Sequence, residues 1–220
     1  MAIPPTHVIF DLDGTLVDTE PLYTDAAQRI VERFGKVFDL GIKRQIMGGG
    51  PLSGARFVVE HLGLPLSPEA YLAEREALLS EACKRARPMP GAVALVEALH
   101  ARGIPLAIGT SSERDLCQIK LSAQPFAGRF SSIACSDDPG VLQAKPAPDI
   151  FLCAARGLGA QPGGCLVFED TPKGVMAARA AGMDVIAVVD PSMANEDYTG
   201  ALRVLSSLEE LTLADIGLAP

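Results

Sequence analysis

Two aspartates separated by one residue, Asp11 and Asp13, follow a short apolar run near the start of the chain. Leu12 between them points to the opposite side in an extended chain, so both carboxylates can face one site. Carboxylates this close repel each other, and proteins tend to pair them with a cation or a shared proton. The pair therefore indicates acid–base or metal chemistry at the end of a strand, although a polar loop would show the same pattern.

Other polar residues that could do chemistry stand further along the chain. Thr110 and Ser111 follow an apolar run, Lys145 precedes a proline, and Glu169 and Asp170 follow another apolar run. Taken singly, these signals are weak, because a lysine before a proline is usually an exposed loop residue and a Gly-Thr-Ser-Ser stretch is often only a helix cap. Their meaning depends on whether the fold brings them together.

Five apolar runs alternate with helical patterns and predict the strands that would position these residues. The apolar runs cover residues 7–10, 104–108, 131–135, 165–168 and 185–189, and helical patterns cover residues 92–102, 148–156 and 172–181. This alternation is typical of a parallel sheet with helices on both faces. Ligands of such sheets bind beyond the carboxyl ends of the strands, which is where most of these polar residues are expected.

The segment between the first strand and residue 88 has a different pattern. Residues 20–34, 52–62 and 67–84 give three helical patterns, with no clear strand between them. A helical insertion at this edge of the sheet would cover the site as a lid. We therefore expect an α/β fold with a Rossmann-like, parallel-sheet core domain formed by residues 1–18 and 88–220, and an inserted all-helical cap domain formed by residues 19–87.

Together, the polar motifs resemble those of the haloacid dehalogenase superfamily, in its phosphatase form with a helical cap inserted after the first motif. The stretch from Phe10 to Glu20 resembles the first motif, Thr110 the second, Lys145 the third, and Glu169 with Asp170 the fourth. The four motifs occur in the order that the superfamily uses. The resemblance covers residues 6–205, with the insertion included.

The resemblance implies roles for the acidic residues and a metal cofactor. Asp11 would be a nucleophile that forms an aspartyl-phosphate, and Asp13 would be the general acid and base. Mg²⁺ would be the cofactor, held by Asp11, Asp170 and the backbone carbonyl of Asp13. Glu169 would bind the metal directly or through a water.

Contacts with the substrate follow from the same resemblance. Thr110, the backbone amide of Ser111 and Lys145 would stabilise the charge on the transferring phosphoryl group, with Thr110 and Lys145 as catalytic residues. Glu20 and Gly48 are further candidates for substrate binding.

The motifs also bear on the type of reaction. The superfamily's dehalogenases lack the second aspartate, so Asp13 favours phosphate esters. Sugar phosphomutases hold a second phosphate with a basic residue in a cap loop, whereas residues 47–51 contain no basic residue. Other basic residues of the helical segment could take that place: Lys43, Arg44 or Arg75.

We therefore expect a phosphatase of a nucleoside or pseudouridine 5'-phosphate or of a sugar phosphate. The subgroup it resembles is that of the pseudouridine-5'-phosphatases and the β-phosphoglucomutase-like phosphatases. A β-phosphoglucomutase-type mutase remains the alternative. A phospho-receiver module, which also gathers acidic residues, a Ser or Thr and a Lys around Mg²⁺, is disfavoured by the helical insertion and by Asp13.

The composition narrows the choice of partners. The formal charge of −8 argues against nonspecific binding to nucleic acids or anionic membranes, which depends on clustered Lys and Arg. No apolar run reaches the length of about 18 residues that a membrane span needs. The five cysteines are odd in number and form no CxxC pair, as in a reducing compartment. We expect a cytoplasmic monomer whose partner is a small phosphomonoester, with no nucleic-acid or membrane binding.

Overall fold

The strands of the computed structural model arise from the apolar runs of the sequence. The structure describes residues 4–47 and 50–218. The strands in this part of the chain are β1 (His7–Phe10), β2 (Val17–Asp18), β3 (Arg87–Pro88), β4 (Leu106–Gly109), β5 (Ser132–Ala134), β6 (Cys165–Glu169), β7 (Asp184–Val188) and β8 (Arg203–Leu205). Six of them form a parallel sheet in the order β5-β4-β1-β6-β7-β8, and β2 pairs with β3 in antiparallel fashion.

Helices connect these strands and fill the segment between β2 and β3. They are α1 (Glu20–Val31), α2 (Leu40–Ile46), α3 (Pro51–Leu62), α4 (Pro68–Cys83), α5 (Ala92–Ala101), α6 (Arg114–Ser122), α7 (Asp149–Leu158) and α8 (Pro172–Ala180). Within the described residues, no helix has both the length and the apolar character needed to cross a bilayer.

Two apolar clusters cover the two faces of the six-stranded sheet. On one face, Phe10 and Phe168 stack with their ring centres 5.0 Å apart and belong to a cluster shared with α5 and α6. On the other face, Ile9 and Val167 pack with α7 and α8. Burial on both faces explains why the strands read as continuous apolar runs rather than alternating ones. The predicted α/β fold with helices on both faces of a parallel sheet is confirmed.

The helical segment contains four helices, α1 to α4, where three were predicted. Their own apolar cluster includes the fully buried Ile30, Val58 and Tyr71. Within this segment, the helix that was not predicted is α2, which has seven residues and begins where the Asp39 side chain accepts the N–H of Ile42 at 2.9 Å. So short a helix contains too few turns to show a clear helical period. The division of the chain into a core domain and a cap domain at residues 19–87 remains a prediction.

Candidate active site

The candidate site lies where three neighbouring strands, β4, β1 and β6, reach their carboxyl ends. Asp11 follows β1, Thr110 follows β4 and Asp170 follows β6. The backbone N–H of Asp11 donates to the carbonyl of Phe168 at 2.9 Å, which extends the ladder between β1 and β6 by one residue. The sheet thus brings these residues together at the edge that the sequence predicted.

A buried ion pair joins Asp11 to Lys145. Lys145 Nζ lies 2.6 Å from Asp11 Oδ1 and 2.6 Å from Glu169 Oε1. Burial alone would lower the pKa of Lys145, but the two carboxylates more than offset this and raise it above its ordinary value. Lys145 therefore stays protonated beside an oxygen of Asp11, as a group that stabilises phosphoryl charge must.

Glu169 acts as an internal acceptor that shapes the loop after β6. Its Oε2 accepts the backbone N–H groups of Asp170 and Thr171, each at 2.7 Å, and the Thr171 hydroxyl at 3.0 Å. Thr171 in turn caps α8 by accepting the N–H of Gly174 at 3.1 Å. Since Lys145 contacts Oε1, protein donors occupy both oxygens of Glu169. The carboxylate of Asp170 is therefore more available than that of Glu169 to bind a cation.

The carboxylates of Asp11, Glu169 and Asp170 form a buried acidic cluster, with one oxygen of each lying within 4.8 Å of the others. Burial raises the pKa of Asp11 to about 7, although the charge of Lys145 opposes the rise. Burial, with repulsion from Glu169 and Asp11, also raises the pKa of Asp170 well above its ordinary value. One lysine cannot balance three carboxylates, so the cluster lacks positive charge that a divalent cation would supply. Hard oxygen donors of this kind suit Mg²⁺.

Gly14 allows the loop after β1 to pass close to this cluster. Its φ is +79°, a left-handed conformation that favours glycine. A Cβ atom at this position would lie 2.3 Å from Asp170 Oδ2. Any larger residue would therefore push Asp170 away from Asp11.

The Asp13 carboxylate lies apart from the acidic cluster and is surrounded by hydrogen-bond donors. Its Oδ1 accepts from the Thr19 hydroxyl at 2.6 Å and from Lys120 Nζ at 2.5 Å, and its Oδ2 accepts from the Ser112 hydroxyl at 2.8 Å. Burial raises the pKa of Asp13, but Lys120 and the hydrogen bonds outweigh burial and hold the pKa below its ordinary value. Asp13 is therefore ionised in this arrangement and able to accept a proton. Metal binding through its backbone carbonyl stays a prediction.

Lys120 belongs to the site and was not predicted from the sequence. Its side chain is fully buried on α6. Besides Asp13, its ammonium group contacts the hydroxyls of Tyr23 at 2.8 Å and Ser112 at 2.7 Å. Lys120 therefore links Asp13, on the sheet side, to Tyr23, on α1 of the helical segment.

Of the residues around the second motif, two line the cavity and Thr110 is buried. Ser111 and Ser112 line the cavity above the acidic cluster. Thr110 is fully buried, and its hydroxyl accepts the backbone N–H of Ser112 at 3.1 Å and lies 3.5 Å from Asp13 Oδ2. Contact of Thr110 and the Ser111 amide with a phosphoryl group remains a prediction.

An open cavity of about 940 Å³ extends from the acidic cluster to the helical segment. Glu20, predicted as a substrate contact, lines the cavity and forms an ion pair with Lys43 at 3.1 Å. Gly48, the other predicted contact, lies outside the described residues.

The three basic residues considered as holders of a second phosphate each contact a carboxylate. The pairs are Lys43 with Glu20 at 3.1 Å, Arg44 with Glu196 at 3.4 Å, and Arg75 with Glu76 at 3.0 Å. Their charge is therefore partly neutralised within the protein.

Comparison with known proteins agrees with this geometry. The family described as haloacid dehalogenase-like hydrolase matches residues 5–182. The chain is 43% identical over 217 residues to a probable pseudouridine-5'-phosphatase of Drosophila melanogaster, covering 97% of this chain and 94% of that protein. It is 39% identical over 221 residues to (DL)-glycerol-3-phosphatase 2 of Arabidopsis thaliana, covering 98% and 92%. CbbY from Rhodobacter sphaeroides, solved in complex with phosphate, superposes with a TM-score of 0.83 at 26% identity, covering 97% of this chain and 100% of that one.

Proposed function

The chain belongs to the haloacid dehalogenase-like hydrolases, and we propose that it is a Mg²⁺-dependent phosphomonoester hydrolase that works through an aspartyl-phosphate on Asp11. The observation that carries this proposal is the contact of Asp11 with Lys145 at 2.6 Å beside the buried acidic cluster. A nucleophilic carboxylate, a fixed cation and a set of hard oxygen donors are the parts that phosphoryl transfer requires.

In the first step, a carboxylate oxygen of Asp11 forms a bond to phosphorus while the ester P–O bond breaks. Asp13 gives a proton to the departing alkoxide. In the second step, Asp13 takes a proton from a water as that water attacks phosphorus, and the products are phosphate and the free Asp11 carboxylate. Lys145 balances the charge of the transferring group at both steps.

Asp13 must be protonated before the first step, although Lys120 and the hydrogen bonds keep the pKa of its carboxyl below the ordinary value. A dianionic phosphoryl group entering the cavity would raise that pKa by repulsion between like charges. Substrate binding would thus favour the acid form of Asp13 for the first step, and departure of the alcohol would favour its base form for the second.

Asp11, Asp170 and the backbone carbonyl of Asp13 would hold Mg²⁺, with Glu169 bound directly or through a water. The ion when bound would neutralise charge on the phosphoryl oxygens and orient them. The carboxylate cluster is suited to that ion by its hard donors and its uncompensated charge.

The proposed substrate is a small phosphorylated metabolite, either a nucleoside or pseudouridine 5'-phosphate or a sugar phosphate. Relatives named for pseudouridine 5'-phosphate and glycerol 3-phosphate support this class. A mutase would need a cation for a second phosphate, and the ion pairs of Lys43, Arg44 and Arg75 favour hydrolysis instead. Monomeric state and cytoplasmic location remain predictions.

Phosphate release from a panel of esters tests the proposed function. The panel contains pseudouridine 5'-phosphate, FMN, glycerol 3-phosphate, hexose phosphates, β-glucose 1-phosphate and p-nitrophenyl phosphate. We expect release in Mg²⁺ that falls at least about 100-fold in EDTA and returns with excess Mg²⁺, since metal charge stabilisation contributes several kcal/mol. Equal rates with and without the metal would contradict the proposal, and conversion of β-glucose 1-phosphate to the 6-phosphate without release would identify a mutase.

Gly174→Ala is expected to disturb the site without touching the substrate. A Cβ at position 174 would lie 1.8 Å from Glu169 Cδ, so Glu169 would have to leave Thr171 and Lys145. Lost hydrogen bonds to a buried acceptor should lower the free energy of unfolding by about 1–3 kcal/mol. Displacement of Lys145 should lower kcat/KM by roughly 10–100-fold.

Chemical denaturation and phosphate release measure the two effects. Gly163→Ala is the matched control, because its added Cβ would meet no atom within 4 Å among the described residues beyond its two chain neighbours, and its φ is not positive. If both variants behaved like the unmodified protein, Glu169 would not position Lys145 in the way described here.

A further inference from the structure

The wall that α4 contributes to the cavity carries polar atoms that no group within residues 4–47 and 50–218 satisfies. Tyr71 and Arg75, four residues apart on α4, both line the cavity, with 0% and 7% of their surface exposed. The Tyr71 hydroxyl and Arg75 Nε have no hydrogen-bond partner among the described residues. Buried polar groups are rarely left unpaired, because the loss of hydration is then uncompensated. Two such atoms on one wall point to a ligand that completes their hydrogen bonds.

This wall is connected to the acid–base group of the reaction. The Arg75 guanidinium carbon lies 5.7 Å from the centre of the Tyr23 ring, and the Tyr23 hydroxyl accepts from Lys120 at 2.8 Å. Lys120 in turn contacts Asp13 at 2.5 Å. Asp13 is the group that would protonate the departing alcohol, so the α4 wall borders the space that this alcohol would occupy.

The charges around the cavity disfavour a second anionic group there. Among the described residues that line it, the cations Lys43, Arg75 and Lys145 each contact a carboxylate. The lining also includes seven carboxylate side chains: Asp11, Asp13, Glu20, Glu76, Glu113, Glu169 and Asp170. Even with one divalent cation bound, acidic groups outnumber the positive charges on the lining. A phosphoryl group would meet Lys145 and the metal, and no unpaired lining cation is left among the described residues for another anion.

We propose that Tyr71, Arg75 and Glu76 form a subsite for an uncharged leaving group that carries several hydroxyl or N–H groups, such as a nucleoside or a polyol. Glu76 accepts hydrogen bonds from donors of the leaving group, and Arg75 Nε and the Tyr71 hydroxyl donate to its acceptors. The same subsite rejects leaving groups that bear a carboxylate or a second phosphate. This inference rests on the proposed function.

Two pairs of substrates test the charge rule. Uridine 5'-phosphate and orotidine 5'-phosphate differ by one carboxylate, as do glycerol 3-phosphate and 3-phosphoglycerate, in which it replaces a hydroxymethyl group. The pair that the unmodified enzyme hydrolyses faster is used for the comparison. Within that pair, we expect kcat/KM to be about 10–100-fold higher for the substrate with the uncharged leaving group, because an unmatched charge in a binding site is costly.

Glu76→Gln tests the subsite itself. It keeps the shape of the side chain, 30% of which is exposed, and removes the negative charge that balances Arg75. The preference for the uncharged leaving group should narrow by about 10-fold, because the guanidinium charge is then available to pair with the added carboxylate. Glu81→Gln is the control on the same helix, since Glu81 is exposed and pairs with Lys84. It should leave the preference unchanged.

Tyr71→Phe provides a second, independent measurement. Removal of an unpaired buried hydroxyl should raise the melting temperature of the free protein. It should also raise KM for the uncharged substrate by about 5–10-fold with a smaller effect on kcat, because one hydrogen bond to the leaving group is lost. An unchanged KM would show that the hydroxyl does not meet the substrate and would overturn its assignment.

The proposed function and the subsite can fail separately. Absence of Mg²⁺-dependent release from every ester, p-nitrophenyl phosphate included, would overturn the proposed function. Release together with a preference for the charged member of the pair, or with equal preferences in Glu76→Gln and Glu81→Gln, would overturn only the subsite.

Discussion

Asp11→Asn is expected to lower kcat by roughly 10⁴-fold or more, the scale on which loss of a nucleophile acts in enzymes that form covalent intermediates. An amide oxygen is a poor nucleophile toward phosphorus, and Asn cannot form the acyl-phosphate bond. The fold should survive, because Asn has nearly the same shape and Lys145 keeps its contact with Glu169 at 2.6 Å. Phosphate release over long incubations measures the activity, and thermal unfolding measures the fold.

Asp18→Asn is the matched control for this change. Asp18 is exposed on β2, within the same motif as Asp11 but outside the cavity. Its amide variant should keep the unmodified rate within a factor of about two, as expected of a surface substitution. If Asp11→Asn retained normal turnover, another group would have to be the nucleophile.

Asp13→Asn is expected to lower kcat for alkyl phosphates by roughly 10²–10⁴-fold, the usual contribution of a general acid or base. Thr19 can still donate to the amide oxygen, and the amide N–H group that replaces Oδ2 can donate to the Ser112 hydroxyl, so the side chain should stay in place. The first step needs a proton only when the departing alcohol is a weak leaving group. The loss of rate in the first step should therefore become smaller as the pKa of the departing alcohol falls.

A series of esters with leaving groups from alkyl alcohols to p-nitrophenol measures this dependence. Single-turnover kinetics separates the first step from hydrolysis of the phosphoenzyme. An equal loss for all leaving groups in the first step would argue that Asp13 positions other groups and does not supply the proton.

The sheet and the position of the site could be predicted because both depend on patterns that are continuous in sequence. Strands buried on both faces give uninterrupted apolar runs, and polar residues directly after β1 and β6 marked the carboxyl edge. The order of the four motifs then indicated the family, which no single residue could do. Lys145 shows this well, because a lysine before a proline carries little information until the fold brings it to Asp11.

Lys120 could not be predicted for the opposite reason. It lies on α6, a helix that was not predicted from the sequence. The available signal was that it falls on the same helical face as the buried residues Leu116, Cys117 and Leu121. A lysine at such a position is ordinarily expected to extend to solvent. Only the approach of Asp13, Tyr23 and Ser112 from other elements makes its burial favourable.

The α4 wall was beyond sequence reasoning as well. Arg75 was considered only as a possible holder of a second phosphate, and its pairing with the neighbouring Glu76 depends on side-chain geometry that adjacent positions do not reveal. Unpaired atoms such as the Tyr71 hydroxyl are properties of packing among several helices. The proposal of a leaving-group subsite therefore required the structure.

Trapping of the phosphoenzyme tests most directly whether the phosphoryl group passes through Asp11. The experiment uses Asp13→Asn with p-nitrophenyl phosphate and Mg²⁺, because this leaving group needs no acid while attack of water lacks its base. We predict a burst of p-nitrophenolate equal to the enzyme concentration, and an acid-quenched enzyme that carries one phosphoryl group on the peptide containing Asp11. Steady phosphate release without a burst and with no phosphoryl group on that peptide, or phosphorylation of a different residue, would contradict the mechanism.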